Sequence, residues 1–368
     1  MSILTYKLLH DRDFATELRQ AVKVANYSLK HRKCRTTKDV KQYGLKACIA
    51  NQILKKYGSN KKLKSVSSVK LTINGYFVKV NKDSREISIP SLKLKLNYQF
   101  PNEFIKVNQV ELDHKYIYIA VEIKDANKIK VENYLGVDRN TTGHCAVVAL
   151  PQSGKVYKLG KQAFHIHRKY KKIRMRLQKA NARKALKKIR HREKNIIKDI
   201  NHKVSNKIVQ LAITNNCGIK LEKLGGIRKA GKNKVKVNKT GESFKSSINT
   251  WEFYQLQSMI EYKSKICGIP LVYIEPAYTS QTCSRCRQIG IRKQKKFSCP
   301  HCGHVDHADS NAAFNIAEGT PVGVTDKAFE FSSKDIVSND QSAIDRDIAE
   351  GSTDTPHLET QLRSCEVV

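Results

Sequence analysis

Two close-set pairs of cysteine constrain the fold of this chain more than any other feature. Cys283 and Cys286 form one C-x2-C pair, Cys299 and Cys302 form the second, and twelve residues separate the pairs. Each pair brings two thiolates to one side of a tight turn, and two such turns complete the tetrahedron of a closed structural zinc site. A single C-x-x-C would leave free thiols or a redox pair open, whereas two pairs favour a zinc ribbon. Four thiolates leave no open position for catalysis at the metal.

The charge of the chain predicts a polyanionic partner. Among 368 residues there are 69 Lys and Arg against 33 Asp and Glu, a formal net charge of +36. Such an excess repels itself in a compact protein unless nucleic acid shares the surface. No run approaches the roughly 18 apolar residues of a membrane span, and the first residues are broken by charge too early for a secretory signal. We therefore expect a reducing compartment and no membrane partner.

The most basic segment is helical in pattern and lies at 164–210. Between residues 168 and 207 there are 17 Lys and Arg against two acids. A solvated helix hairpin with a buried seam is the plain interpretation, but this charge favours contact with nucleic acid. The candidate nucleic-acid-binding residues are basic residues of this segment: Arg168, Lys169, Lys171, Lys172, Arg174, Arg176, Arg183, Lys184, Lys187, Lys188, Arg190, Arg192 and Lys203.

Four further segments are distinguished by their residue pattern or composition. Residues 12–57 have the 3.6-residue apolar spacing of helices, and residues 66–123 contain short alternating segments rich in β-branched and aromatic residues, which predict a small antiparallel sheet or barrel. Residues 225–245 are rich in Gly and Lys and are expected to form a flexible loop. Residues 320–368 carry ten acids against four basic residues, which is typical of a disordered acidic tail.

Three carboxylates occupy unusual positions in the remaining segments. Asp138 lies in the apolar strand LGVDRN, Glu222 closes the apolar strand GIKLE, and Asp309 begins a helix just after the cysteines. Taken singly, the first two could form salt bridges and the third could cap the helix. Together, in so basic a protein, they are also typical of a site that binds two Mg²⁺ ions, or Mn²⁺ in their place, for phosphodiester hydrolysis.

A series of motifs between about residues 134 and 317 resembles one family. The order GVDRNTTGHCAVVAL, DINHKVSNKIV, IKLEKLGGIR, SINTWEFYQLQSMIEYKSKICGIP, YTSQTCSRC, CPHCGHVDHAD and DSNAAFNI is similar to that of the TnpB (OrfB) proteins of insertion sequences. These are RNA-guided nucleases related to the type V CRISPR effectors. The resemblance implies a RuvC-type, RNase H-like site formed by Asp138, Glu222 and Asp309, which would be both catalytic residues and magnesium ligands.

The resemblance also implies partners and a layout. The partners are a transposon-derived guide RNA and a target DNA that is cut beside a short motif, in the cytoplasm of a prokaryotic cell and close to the nucleoid. The fold class is an α/β nuclease domain with an inserted zinc ribbon, preceded by a small β-barrel domain that carries a helical recognition insert. The implied segments are a first barrel (wedge) strand at 1–10, the helical insert at 11–60, the rest of the barrel at 61–130, the nuclease domain at 131–280, the zinc ribbon at 281–303, the end of the nuclease domain at 304–319 and the acidic tail at 320–368.

Two positions depart from or add to the family pattern. Asn140 stands where Gly is commoner, two residues after the first Asp, and Asn tolerates the same left-handed turn. Glu275 ends a strand near the expected site, but we do not assign it to the site.

Three other functions stay open: a guided repressor that does not cut, a zinc-ribbon protein that binds nucleic acid without a guide, and a DNA-strand transposase.

Overall fold

A computed structural model describes residues 1–31, 36–60, 62–140, 143–223, 253–276 and 278–319 of the chain. The described residues form two compact units, an N-terminal unit of residues 1–124 and a C-terminal unit that begins at residue 125. None of the described helices combines an 18-residue length with the hydropathy of a membrane span. The loop predicted at 225–245 and the tail predicted at 320–368 lie outside the described residues.

The N-terminal unit is built on a four-stranded antiparallel sheet with the order β1-β7-β6-β2. Its strands are β1 (Ser2–Leu9), β2 (Leu71–Asn74), β6 (Lys106–Leu112) and β7 (Tyr116–Ile123). Alternation of side chains sets the two faces of this sheet. In β7, Ile117 and Ile119 are fully buried, while Tyr116 and Tyr118 lie half-buried on the opposite face.

Helices follow β1, and a second sheet follows β2. The helices are α1 (Ala15–Lys30), a 3₁₀ helix (Thr37–Tyr43) and α2 (Ala47–Gly58). Buried residues recur every three or four positions in both α-helices, which is why these segments are helical. The second sheet has the order β3-β4-β5, with β3 (Lys79–Asn81), β4 (Glu86–Ile89) and β5 (Leu94–Asn97).

The prediction of a β-barrel is wrong for the described residues. The strands β1 and β2 form the two edges of the four-stranded sheet and do not pair with each other, and β3, β4 and β5 form a separate sheet. Alternating apolar residues predict strands with one buried face, but they do not determine whether the first and last strands meet. The unit therefore contains two open antiparallel sheets.

The C-terminal unit is built on a mixed five-stranded sheet with the order β10-β9-β8-β11-β12. Its strands are β8 (Tyr134–Arg139), β9 (Ala146–Leu150), β10 (Lys155–Leu159), β11 (Gly218–Glu222) and β12 (Leu271–Ile274). The first three strands in sequence are antiparallel, and β11 lies parallel to both β8 and β12. All five residues of β9 are buried, which fits a sheet that is covered on both faces.

Four helices of the described residues accompany this sheet. They are α3 (Lys161–Lys179), α4 (Arg183–Thr214), α5 (Phe253–Ile266) and α6 (Ala308–Glu318). The C-terminal half of α4 packs on the core through Ile200, Val204 and Ile208. Helix α6 lies against β8 at Gly136, where a Cβ atom would stand only 2.0 Å from the carbonyl oxygen of Ala313. The close approach of α6 to the central strand therefore requires glycine at this position.

A small antiparallel sheet separates β12 from α6 in the chain. It contains β13 (Ile291–Lys293), β14 (Lys296–Ser298) and β15 (Val305–His307). Its apolar centre is little more than Phe297, which is fully buried together with Cys283 and Ala308. So small a core needs additional cross-links, and the four cysteines of the sequence motif lie on this element.

Candidate active site and metal centre

The four cysteine thiols of the motif converge on one point. All four Sγ atoms lie within 4.8 Å of one another. The Sγ atoms of Cys283 and Cys302 are 3.7 Å apart, and those of Cys286 and Cys299 are 3.4 Å apart. Thiolates that bind zinc at about 2.3 Å in a tetrahedron stand about 3.8 Å from each other, so the donor set fits one zinc ion.

Two turns with the same hydrogen bonding present these thiols. The amide of Arg287 donates to the carbonyl oxygen of Cys283, and the amide of Gly303 donates to that of Cys299. Both turn residues have left-handed backbone, with φ of 65° at Arg287 and 68° at Gly303. A C-x-x-C pair followed by such a turn brings its two thiols to one side, as the spacing predicts.

Asp138 lies at the carboxyl end of the central strand β8. It is 9% exposed, and its Oδ2 accepts a hydrogen bond of 2.8 Å from Nδ2 of Asn140. Burial raises the pKa of Asp138 to about 7, and the charges of Glu222 and Asp309 add to this rise. Glu222 and Asp309 therefore lie close enough to Asp138 for their charges to act on it in a site shielded from water.

Parallel pairing brings Glu222 level with Asp138. Leu221 is the register partner of Val137, so the two acids follow at the same level at the ends of β11 and β8. Thr279 donates a hydrogen bond of 2.5 Å to Oε1 of Glu222. Burial raises the pKa of Glu222, while the Thr279 hydrogen bond and nearby arginines oppose the rise.

Asp309 reaches the same place from the first turn of α6. Its side chain is nearly inaccessible to water, with 2% of the residue exposed. The helix is capped by His307, whose ring accepts from the Asp309 amide, so the prediction that Asp309 could cap the helix does not describe its role. Oδ1 of Asp309 is buried and accepts no hydrogen bond within the described residues.

Two cations of the small sheet approach Asp309. Nζ of Lys295 lies 2.6 Å from Oδ2 of Asp309 and 3.4 Å from Oδ1 of Asn140. Nη2 of Arg292 lies 3.6 Å from Oδ1 of Asp309. These basic side chains partly offset the negative charge of the three acids. Buried carboxylate oxygens that lack full neutralisation are the donor set that Mg²⁺ and Mn²⁺ prefer, so the residues fit a divalent-cation site.

A buried arginine links the two central strands beside the acids. Arg139 follows Asp138 and is 5% exposed. Its Nη2 donates to the main-chain oxygen of Glu222 at 2.6 Å, and its Nη1 donates to Oε1 of Gln257 on α5. The guanidinium group thus holds the end of β11 to the end of β8 and to the helix behind them.

The predicted nucleic-acid-binding residues lie on α3 and α4, and all of them except Arg174 are exposed. Arg174 instead pairs with the buried carboxylate of Glu193, which also contacts His167 at 3.0 Å. Lys203 pairs with Asp199 one helical turn away. Glu275 is exposed at the end of β12.

Comparison with known proteins identifies the family. Residues 253–316 match the family model described as Cas12f1-like, TNB domain. A TnpB-like protein of Methanocaldococcus jannaschii is 31% identical over 254 residues, which cover 66% of this chain and 78% of that protein. The chain belongs to the TnpB family. The resemblance stated from the sequence motifs is confirmed.

Two further relatives connect this TnpB-family chain to type V CRISPR effectors. The CRISPR-associated endodeoxyribonuclease Cas12f1 of Sulfoacidibacillus thermotolerans is 36% identical over 138 residues, 36% of this chain and 30% of that protein. The Cas12f2 endodeoxyribonuclease of a Micrarchaeota archaeon is 31% identical over 275 residues, 68% of this chain and 48% of that protein. The chain spans less than half the length of these two nucleases.

A solved Cas12f1-sgRNA-target DNA complex also resembles this TnpB-family chain. The match covers 86% of this chain and 99% of that chain, with a TM-score of 0.42 and 18% identity. This likeness is too slight to support an argument about the site.

Sequence reasoning did not single out several side chains that contact the acids of this TnpB-family chain. Thr279 was present in the motif YTSQTCSRC, but nothing in its spacing links it to Glu222. Lys295 lies in the turn between β13 and β14, and only the fold brings it to Asp309. Arg139 could have been found from the sequence, because a charged residue beside Asp138 in an apolar strand needs buried partners.

Proposed function

We propose that this TnpB-family chain is the RNA-guided DNA endonuclease of a transposable element. One observation carries the proposal: Asp138 and Asp309 are buried and Glu222 is partly buried, and burial together with the charges of Glu222 and Asp309 raises the pKa of Asp138 at the end of the central strand β8. Family membership and the exposed basic helices support it. The three antiparallel strands followed by two parallel ones support a RuvC-type, RNase H-like nuclease domain.

The proposed chemistry is hydrolysis of a DNA phosphodiester. Two bound Mg²⁺ ions, or Mn²⁺ in their place, would activate a water molecule and stabilise the leaving oxygen. The chain supplies the oxygen donors: Asp138, Glu222 and Asp309 would hold the cations from three different elements. Asn140 fixes one oxygen of Asp138 through its 2.8 Å hydrogen bond. Burial of the acids excludes bulk water from their oxygens.

In this proposal the zinc centre is structural. Cys283, Cys286, Cys299 and Cys302 would hold a Zn²⁺ ion, which would stabilise the small sheet that precedes α6. Because Asp309 follows β15 by only two residues, the position of this sheet limits where the third acid can lie. The ribbon therefore serves the acid site through geometry and takes no part in the chemistry.

Recognition of the target is assigned to RNA rather than to side chains. A transposon-derived guide RNA would pair with one DNA strand, and this pairing would supply sequence specificity. The exposed Lys and Arg side chains of α3 and α4 would contact phosphates, which position nucleic acid without reading its sequence. A short motif beside the target would be read by the protein.

The test is to express the chain with the DNA that flanks its gene and to sequence the RNA that co-purifies. A discrete RNA that ends in sequence from beside the element supports guided recognition, whereas a mixture of cellular RNA supports a zinc-ribbon protein that binds without a guide. Cleavage of guide-matched DNA is then compared between the original chain, Asp138→Ala and the control Glu275→Ala. We expect cleavage only by the original chain and the control.

Other outcomes would change the assignment. Equal cleavage by Asp138→Ala would overturn the proposed site. Guided binding with no Mg²⁺-dependent cleavage by any form would mean that the chain is a repressor. Strand-joined DNA products would mean that it is a transposase, since both reactions begin from the same arrangement of acids.

A further inference from the structure

The segment that joins β12 to the first cysteine pair contacts the second acid directly. Thr279 lies in this segment and is 9% exposed. Its hydroxyl lies 2.5 Å from Oε1 of Glu222 and 3.2 Å from the carbonyl oxygen of Pro276. A hydroxyl group has one proton, and the shorter contact is made to the charged acceptor, which forms the stronger bond. Thr279 therefore fixes one oxygen of Glu222 and leaves the other oxygen available.

Helix α6 in turn holds Thr279. Nδ2 of Asn315 donates to the carbonyl oxygens of Thr279 at 2.8 Å and Thr282 at 2.6 Å. Oδ1 of Asn315 accepts from Nη1 of Arg287 at 3.1 Å. Asn315 is 6% exposed, so these bonds form away from water and would be costly to leave unmade.

A second asparagine one helical turn earlier repeats this contact. Asn311 is fully buried, and its Nδ2 donates to the carbonyl oxygen of Thr282 at 2.7 Å. Its Oδ1 accepts from the amide of Ser284, between the first two cysteines, at 2.9 Å. The two asparagines thus bind the segment at 279–284 to the helix that carries Asp309.

These contacts connect the acid site to the zinc centre along one short path. The path runs from Glu222 to Thr279, and then through Asn315 to α6, while the same segment continues into Cys283. A glutamate side chain has three rotatable bonds, and Mg²⁺ requires its ligands in a near-ideal octahedral geometry. Loss of a group that orients a metal ligand typically weakens metal binding about 10- to 100-fold.

We propose that Thr279 is a positioning residue for Glu222, held in place by Asn315, and that it determines how tightly the three acids bind a divalent cation. This inference rests on the proposed function, because it takes Glu222 as a ligand.

The experiment separates this role from a merely structural one. The full zinc-loaded chain is prepared as Thr279→Val, which keeps the shape and removes the hydroxyl, and as Thr279→Ser, which keeps the hydroxyl. Thr72→Val is the matched control, because Thr72 is also buried and its hydroxyl also lies near a main-chain oxygen, that of Lys70. Binding of Mn²⁺ is measured from the loss of the free-ion electron paramagnetic resonance signal, and Mg²⁺-dependent cleavage is measured in parallel.

We expect Thr279→Val to weaken Mn²⁺ binding about 10- to 100-fold, the usual cost of losing a group that orients a metal ligand. Thr279→Ser and Thr72→Val should stay close to the original chain. Zinc content and the unfolding temperature should change little in Thr279→Val. If Thr279→Val does not fold, Thr279→Ala reports on the same hydroxyl.

The outcomes distinguish this inference from the proposed function. Unchanged Mn²⁺ binding in Thr279→Val, beside weakened binding in Asp138→Ala, overturns the inference and leaves the proposed function intact. Weakened binding in Thr279→Val, with no guided cleavage by any form, supports the inference and overturns the proposed function. A failure of the original chain to bind Mn²⁺ overturns both.

Discussion

The four-cysteine cluster and the cluster of three acids lie next to each other but form in different ways. The four thiols come from two short turns between residues 283 and 302, and their Sγ atoms already lie within 4.8 Å of one another. The three acids come from two strands and a helix, and Asp138 is separated from Asp309 by most of the C-terminal unit. The first site depends on local turns, whereas the second depends on the register of a sheet.

This difference predicts different sensitivities. A local site depends mainly on its own metal, so chemical changes at its ligands should affect it most. A site assembled across the fold should respond to any change that shifts one element against another. The contacts of Lys295 and Asn311 join the two sites. We therefore expect a substitution that unfolds the zinc ribbon to disturb the acid site, and a substitution at the acids to leave the zinc ribbon folded.

The largest effect is expected from Cys299→Ser. Cys299 is 3% exposed in a core too small to be stable by itself, so loss of the metal should unfold the small sheet. Zinc content should fall below one ion per chain, and guided cleavage should fall at least about 100-fold.

The matching variant at the acid site is Asp309→Asn, which should abolish cleavage and keep the zinc. Loss of zinc from Asp309→Asn as well, measured by elemental analysis, would show that the two sites are not separable in this direction.

The next effect concerns the packing of α6 against β8, which sets the position of Asp309 relative to Asp138. In Gly136→Ala the new methyl group would overlap the main chain of α6, which cannot move aside as a flexible side chain can. We expect a loss of about 3 kcal/mol in the free energy of unfolding, measured with denaturant. Gly58→Ala is the control, because its Cβ would meet only the Ser28 hydroxyl, at 3.2 Å. Equal stability of the two variants would contradict the close contact of β8 with α6.

A smaller effect is expected where the ribbon enters the acid site. The Lys295 ammonium group contacts Oδ2 of Asp309, an oxygen that a divalent cation would use. Lys295→Met should therefore lower the Mn²⁺ concentration for half-saturation by about three- to tenfold, since a competing positive charge is removed. Lys293→Met changes an exposed lysine of the same small sheet and should leave binding as it was. Weaker binding in Lys295→Met would mean that this lysine orients Asp309 rather than competing for it.

The smallest effect is a pH dependence of the free energy of unfolding, caused by a buried lysine between α5 and α4. Lys263 on α5 is 4% exposed and donates to the His202 carbonyl oxygen and to Ser205 Oγ on α4. Burial lowers the pKa of Lys263 to about 7. The unfolded chain, with an ordinary lysine pKa, then binds more protons between about pH 7 and 10, so the free energy of unfolding should rise with pH in this window.

We expect this rise to be about 1 kcal/mol between pH 7 and pH 8 and to be absent in Lys263→Met. Lys265→Met is the control, because Lys265 is exposed and pairs with Asp125. Denaturant unfolding at several pH values measures the slope. A slope that persists in Lys263→Met would assign the pH dependence to other groups.

The sequence predicted the parts of this molecule whose signals are local. The cysteine spacing predicted two turns that share one metal, and the apolar runs around Asp138 and Glu222 predicted buried strands, because a charged residue in such a run is rare without a purpose. Family membership was also evident from the order of the motifs. The role of the three acids stays a prediction until the metal and cleavage measurements are made.

The features that the sequence did not predict depend on which strands and side chains meet in the folded chain, and a single sequence does not show this. The barrel prediction failed because the edges of a sheet are determined by which strands meet, and β1 and β2 do not. The contact of Lys295 with Asp309 follows from the length of one hairpin, and that of Thr279 with Glu222 from the path of one loop. Arg174 has the pattern of a nucleic-acid contact, yet the buried Glu193 takes it as an ion-pair partner.

The position of the acids along the chain also determines when the site can exist during synthesis. Asp138 leaves the ribosome early, its parallel neighbour β11 follows only after two long helices, and Asp309 comes last. At about 5 to 20 residues per second, roughly ten to thirty seconds separate the first acid from the third. A chain whose synthesis ends before α6 therefore carries the basic helices but lacks the complete acid site.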